Sequence, residues 1–243
     1  MSASPPLHSS EDRDVRQREI VPPHKLAACH GLVIGLGAIG RQVALQLAAV
    51  GMTRMDLIDD DTVGVENLAP QAYFQRDLGE AKVEATAKAC WLLNPLIRLS
   101  LYPQRFRRSS PKDLAAFADS ALRPAVFCCV DSIATRKLVW ESVRARCSFF
   151  ADGRMSAEVV RVLASDSPPS DSVYPQSLFA PERAYSGSCT AKSTVYTASI
   201  AAGLMLSQFT RWLRGLPSLF RISLSSGAVF GSSAILSNVE TRA

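Results

Sequence analysis

Residues 31–71 read GLVIGLGAIGRQVALQLAAVGMTRMDLIDDDTVGVENLAPQ, and their pattern decides the fold. The unbroken apolar run Gly31 to Leu36 has the length and composition of a strand buried on both faces. Gly35-Leu36-Gly37-Ala38-Ile39-Gly40 closes that strand and opens a segment in which Ile39, Val43, Ala44, Leu47 and Val50 recur at helical spacing until Gly51. Met55 to Asp59 is a second apolar strand. A glycine loop between strand and helix lets the backbone approach phosphate groups at a helix N-terminus. A carboxylate about twenty residues on, here Asp59, is placed to bond ribose hydroxyls. The stretch therefore predicts a nucleotide site and leaves NAD and ATP both open, with a tight turn that holds no ligand as the bland alternative.

Working outward, Gly79 to Leu93 is predicted as a helix stopped by Asn94-Pro95, Ile97 to Tyr102 as a third strand and Pro111 to Ala121 as a helix with proline in its first turn. Pro124 to Val130 follows as a fourth strand, Ile133 to Arg146 as a helix and Ser148 to Ala151 as a short fifth strand. Such alternation builds a doubly wound, mostly parallel, Rossmann-like α/β sheet. Beyond it, Glu158 to Ala164 alternates like an exposed strand, and Ser165 to Ser188 is rich in Ser, Pro and Asp without periodicity. A helix is predicted from about Ala191 to Leu213, then a hairpin of Phe220 to Ser225 and Ala228 to Ser232 turned at Ser226-Gly227, which makes a C-terminal antiparallel extension. Met1 to Asp14 is polar with Pro5 and Pro6 and is expected to be a mobile arm; Val15 to Cys29 allows a short helix broken at Pro22-Pro23. Residues 15–243 are expected to form one domain, with a nucleotide-binding part at about 30–152 and a partner-binding part at about 153–243.

Composition narrows the function classes. With 47% hydrophobic and 20% charged residues, the chain has the balance of a compact soluble protein, and no apolar run reaches the roughly 18 to 20 residues of a membrane span. The first 24 residues carry charges of both signs and no apolar segment, so no secretory signal is read and a cytoplasmic address is expected. The net charge of +5 invites a nucleic-acid partner, but the basic residues are spread along the chain and only Arg105, Arg107 and Arg108 cluster, which reads as a solvated loop. Six cysteines without a C-x-x-C pair give neither a disulfide scaffold nor a zinc knuckle. His8, His24 and His30 lie away from the predicted strand ends and support no histidine triad.

The motifs after the glycine loop separate the nucleotides. Asp59-Asp60-Asp61-Thr62-Val63 is followed by Asn67-Leu68 and Gln71, by Asp77-Leu78-Gly79-Glu80-Ala81-Lys82-Val83, and by Cys129-Val130-Asp131-Ser132 after the fourth strand. This ordered series, over roughly Arg18 to Arg146, resembles the ThiF/MoeB/HesA family of ubiquitin-activating-enzyme-like adenylyltransferases. The resemblance implies ATP and Mg2+ as cofactors, with Gly35, Gly37 and Gly40 under the phosphates, Asp59 on the ribose, and Asn67, Gln71 and Lys82 facing the triphosphate. It implies Asp131 as the magnesium ligand, where a helix N-cap is the structural alternative, and Arg18 as an arginine reaching the neighbouring subunit's phosphates in a homodimer. Lys82 alone would read as a solvated helix residue, and Arg136 fits a family arginine or a solvated face equally well. Cys189, beside Lys192 at the expected start of a helix, is similar in place to a thiol that receives the activated carrier in some members; packing is its alternative role.

The implied reaction is adenylation of the C-terminal carboxylate of a ubiquitin-like or sulfur-carrier protein with a glycine tail, giving an acyl-adenylate and pyrophosphate, with possible transfer to a thiol. Ser165 to Ser188 is then a candidate strap over the carrier tail. Two departures stand out: Pro70 replaces the arginine usual in N-L-x-R-Q, with Arg76 as a candidate substitute, and the paired C-x-x-C motifs are missing, so no zinc is expected. The alternatives are adenylation of a peptide or modified-tRNA carboxylate, an NAD-linked dehydrogenase, disfavoured by the Asn-x-x-x-Gln and Asp-x-Gly-x-x-Lys series, and a non-catalytic partner subunit.

Overall fold

Continuous burial explains why β1 (Cys29–Ile34) became the centre of the sheet: every residue in it is buried, which only an inner strand covered on both faces allows. In the computed structural model, which describes residues 13–178 and 193–225, β1 pairs in parallel with β2 (Arg54–Ile58) on one side and β4 (Arg123–Cys128) on the other. With β3 (Arg98–Tyr102), β5 (Phe149–Ser156), β6 (Val159–Ser165) and β7 (Arg221–Ser225), the order is β3-β2-β1-β4-β5-β6-β7. The first five of these run parallel, and β6 and β7 add antiparallel edges. The expected mixed α/β sheet with a C-terminal antiparallel extension is thus the observed one. Residues 1–12, 179–192 and 226–243 lie outside the described residues, and with them most of the expected arm, the second strand of the terminal hairpin and Cys189.

Among the described residues, four long helices cover the sheet: α1 (Ala38–Ala49), α2 (Lys82–Leu93), α3 (Ile133–Val143) and α4 (Val195–Leu213). On one face α1 packs against both α2 and α4, and their apolar stripes close on Val33, Leu57, Phe127 and Phe149. The rings of Phe127 and Phe149 each lie 5.5 Å from Phe209 of α4, and the Arg123 guanidinium sits 4.0 Å above the Trp212 ring. On the other face Phe150, Trp140 and Tyr174 pack edge to face or tilted at 4.3–5.0 Å.

Three local expectations are corrected. Residues 111–121 are not a helix but two short 3-10 turns, Ser110–Lys112 and Ala115–Phe117. Side chains from the sheet capture the amides a helix would need: the Ala115 N–H donates to the Tyr102 hydroxyl and the Ala116 N–H to Asp56. β5 runs on to Ser156 rather than stopping at Ala151, and its polar Asp152 and Arg154 are bonded to each other beside the core. The described part of the segment after β6 forms a helix at Pro168–Val173 and a 3-10 turn at Tyr174–Ser177, where the sequence shows no periodicity. No helix among the described residues is long and apolar enough to cross a membrane.

Candidate functional site

The parallel strands change direction of winding between β1 and β4, and the space outside their carboxyl ends is where such sheets bind ligands. A cavity of ≈ 960 Å3 lies there. Of the residues singled out from sequence, Gly35, Gly37, Asp59, Gln71, Lys82 and Asp131 line it. Gly40 and Asn67 are not among the lining residues, nor is Arg18, which is exposed in the turn before β1.

The glycine loop is fixed by close backbone contacts. Gly35 has φ +86°, and a Cβ there would lie 3.0 Å from the Cys129 carbonyl oxygen. A Cβ on Gly40 would come within 1.8 Å of the Gly35 carbonyl, so this glycine serves the packing of helix against loop. Gly37 differs, since a Cβ there would meet no atom of the described residues within 4 Å. Gly37 is also the N-cap of α1, no side chain caps that first turn, and its free amide donors adjoin the cavity. This combination suits an anionic group such as a phosphate.

Asp59 stands at the end of β2. Its carboxylate accepts the Leu36 N–H at 2.5 Å and the Asp61 N–H at 2.9 Å, which ties the glycine loop to the aspartate run. Burial raises its pKa above the ordinary aspartate value, against the lowering pull of those two amides and of Lys82. Lys82 is not a solvated helix residue: its side chain is 6% exposed, and Nζ donates to Asp61 at 2.8 Å. The Gln71 Oε1 is buried at the cavity wall and has no hydrogen-bond partner among the described residues, a condition that native proteins rarely leave unrelieved. Asn67 instead accepts the Gly64 N–H at 2.9 Å.

Asp131 is exposed on the opposite wall, and among the described residues its side chain has no hydrogen-bond or ion-pair partner. It is not the helix cap, because Ser132 is the N-cap of α3 and accepts the Thr135 N–H. Asp60 pairs with Arg105 at 3.2 Å. Burial pushes the thiol pKa of Cys29 and Cys147 to about 11 and that of Cys90 to about 12, and raises those of Cys128 and Cys129 as well. These thiols stay protonated at neutral pH, and Cys129 reaches the cavity as a packing residue.

The model of the ThiF family matches residues 14–233. The chain belongs to the ThiF family. It is 37% identical over 114 residues to the sulfur carrier protein ThiS adenylyltransferase of Escherichia coli K12, a match covering 46% of this chain and 43% of that protein. The match therefore spans less than half the length of that relative. Among solved structures, PaaA superposes with a TM-score of 0.71 at 16% identity, covering 93% of this chain and 73% of its own. E. coli MccB with AMPCPP and MccA gives 0.68 at 18% identity, covering 92% and 71%; MccB has also been crystallised with ATP. These structures share the fold.

Within this ThiF chain, Pro70 lies on the short helix Leu68–Gln71 and carries no charge to the cavity. Arg76 does not supply it, because its guanidinium lies 4.8 Å from the Phe74 ring and outside the cavity lining. Arg105 does line the cavity. The sequence reading missed Arg41, which is fully buried, and Asp152, which is fully buried and bonded to Arg136, to Arg154 at 2.8 Å and to the Tyr174 hydroxyl at 2.9 Å. Arg136, open between two readings, is thereby placed: it is buried at the cavity wall, and its Nη1 also donates to the Gly153 carbonyl. The signal for such groups is faint, a charged residue interrupting an otherwise apolar element.

Proposed function

We propose that the chain is an ATP- and magnesium-dependent adenylyltransferase that activates the C-terminal carboxylate of a small ubiquitin-like or sulfur-carrier protein. One observation carries the reading furthest. The unpartnered Gln71 Oε1, the open space above Gly37, the uncapped start of α1, Lys82 and Asp131 converge on a single cavity at the switch point of the sheet. The naming of an E. coli relative for ThiS and the crystallisation of MccB with ATP support the same chemistry.

In the proposed reaction a carboxylate oxygen of the carrier attacks the α-phosphorus. The bond from that phosphorus to the bridging oxygen breaks, and pyrophosphate leaves with the electron pair, giving the acyl-adenylate. The chain's contribution is positioning and charge neutralisation. The amides of Gly37 and of the first turn of α1 receive phosphate oxygens, and Asp59 offers its carboxylate to the ribose hydroxyls. Lys82 can leave Asp61, which is largely exposed, and follow the charge that builds on the departing pyrophosphate. A magnesium ion prefers hard oxygen donors, and the carboxylate of Asp131, unpaired among the described residues, fits it, whereas Asp60 and Asp61 already hold cationic side chains. When bound, the ion would neutralise phosphate charge. Arg18 of a second copy in a homodimer, and Cys189 as acceptor in a later thioester step, complete the proposal.

The test is carrier-dependent ATP–pyrophosphate exchange with a panel of proteins ending in Gly-Gly and of free peptides, run on wild type, Asp131→Ala and Cys189→Ala. Exchange with a Gly-Gly protein that is lost in the aspartate variant and kept in the cysteine variant is expected. Exchange with peptides alone would move the substrate class to peptide carboxylates, and exchange with nothing, in a folded protein that binds ATP, would contradict the adenylation reading.

A further inference from the structure

Arg41 lies one residue past the last loop glycine, on α1, and is wholly removed from solvent. Burying a guanidinium without a full set of partners is unfavourable, yet this one is incompletely satisfied. Its Nε donates to the Ala72 carbonyl at 3.1 Å and its Nη1 to the Thr86 hydroxyl at 3.4 Å, while Nη2 makes no hydrogen bond among the described residues and lies 3.9 Å from Asp77. Its Cζ rests 4.0 Å from the centre of the Tyr73 ring.

Each of these contacts leads to a group at the phosphate end of the cavity. Ala72 directly follows Gln71 and has φ 59°, a left-handed conformation that a residue with a Cβ adopts only when its surroundings hold it. The bond from Arg41 to the Ala72 carbonyl supplies that hold and sets how the chain leaves Gln71. The Tyr73 hydroxyl, beneath the guanidinium, donates to the Leu36 carbonyl at 2.8 Å, and the amide of Leu36 in turn bonds Asp59. Thr86 lies one turn beyond Lys82 on α2. One buried cation thus ties the glycine loop, Gln71 and the helix of Lys82 together, beside a helix where Pro70 offers no charge.

We propose that Arg41 is a positioning residue that holds Gln71 and the glycine loop in register for the β- and γ-phosphates. This rests on the nucleotide reading above. The experiment measures Kd for ATP with Mg2+ and for AMP, by calorimetry or competition, in wild type, Arg41→Met, Arg41→Lys, Gln71→Ala and the Arg41→Met/Gln71→Ala double variant. Arg41→Met is expected to weaken ATP binding about tenfold and AMP binding less than twofold, with partial recovery in Arg41→Lys. In the Gln71→Ala background the Arg41→Met change is expected to add little, since the two act through one contact. Equal losses for ATP and AMP would show a merely structural role and overturn the assignment, as would wild-type ATP affinity in Arg41→Met or fully additive losses. If Arg41→Met does not fold, Tyr73→Phe keeps the ring and removes the hydroxyl that bonds the Leu36 carbonyl at 2.8 Å and the Thr86 hydroxyl at 3.2 Å. It is expected to lower the ATP-to-AMP affinity ratio severalfold, and an unchanged ratio would overturn the proposal. A folded wild type that binds neither nucleotide would overturn the nucleotide reading itself.

Discussion

The Asp59 carboxylate is held above the ordinary aspartate pKa by burial, while two backbone amides and Lys82 pull it down. A carboxyl whose folded pKa is raised contributes stability that is full below the unfolded value and fades as pH rises through the folded one. Nucleotide binding runs the other way, since the ribose contact is best made by the ionised form. ATP affinity is therefore expected to fall on acidification at a pH above the usual aspartate range, and Asp59→Asn to flatten that profile while weakening binding at neutral pH. Calorimetric titration across pH checks it, and a profile unchanged in the variant would contradict it. Lys82 makes a second residue-scale case. Lys82→Met is expected to lower pyrophosphate exchange by about 10²–10³-fold, the scale of losing one preorganised donor to developing charge. Retention of near-wild-type exchange would remove Lys82 from the site. At this scale the sequence was informative where a motif fixes the neighbours: Asp77-x-Gly79 pointed to Lys82, which lines the cavity, although its burial was not legible. Arg41 and Asp152 were not legible, because partners such as Ala72, Thr86 and Tyr174 are brought to them only by the folded chain.

The strand-loop-helix unit from β1 to α1 separates two glycine roles within one motif. Gly40→Ala would drive a methyl into the Gly35 carbonyl, so loss of fold stability together with ATP binding is expected. Gly37→Ala meets no protein atom within 4 Å, so its melting temperature should match wild type while phosphate binding weakens. Thermal melts and ATP titrations on the pair decide this, and equal melting losses would contradict it. β5 offers a stability test. Asp152→Ala would leave the buried Arg136 guanidinium and the half-buried Arg154 guanidinium without their shared anion, and a cost of about 3–5 kcal/mol is expected in urea unfolding; a cost under about 1 kcal/mol would mean that solvent relieves them. Most elements were legible in sequence, β1 to β4 and α1 to α4 among them, because they carry strong periodicity or unbroken apolar runs. Residues 111–121 carried helical signals but lost their amides to Tyr102 and Asp56, a tertiary competition that local propensity does not register. β5 was cut short for the converse reason, that buried charges resemble a loop when their partners are out of view.

The molecule as a whole is a parallel half-sheet that makes a cavity at its switch point and an antiparallel edge that extends the wall beyond it. That much was readable from alternation of strand and helix patterns, since connection chirality and helix coverage leave few ways to wind such a sheet. The packing of α4 was not: it reaches across to Phe127 and Phe149 through Phe209 and Trp212, and no local pattern names those partners. What the assembled cavity does is read out by trapping with hydroxylamine. Full-length chain, ATP, Mg2+ and a carrier ending in Gly-Gly are incubated with hydroxylamine, and the nucleotide products and carrier mass are measured together. AMP and pyrophosphate formed in step with a C-terminal carrier hydroxamate are the expected result; ADP and phosphate, or an unmodified carrier beside intact ATP, would contradict adenylation at this site.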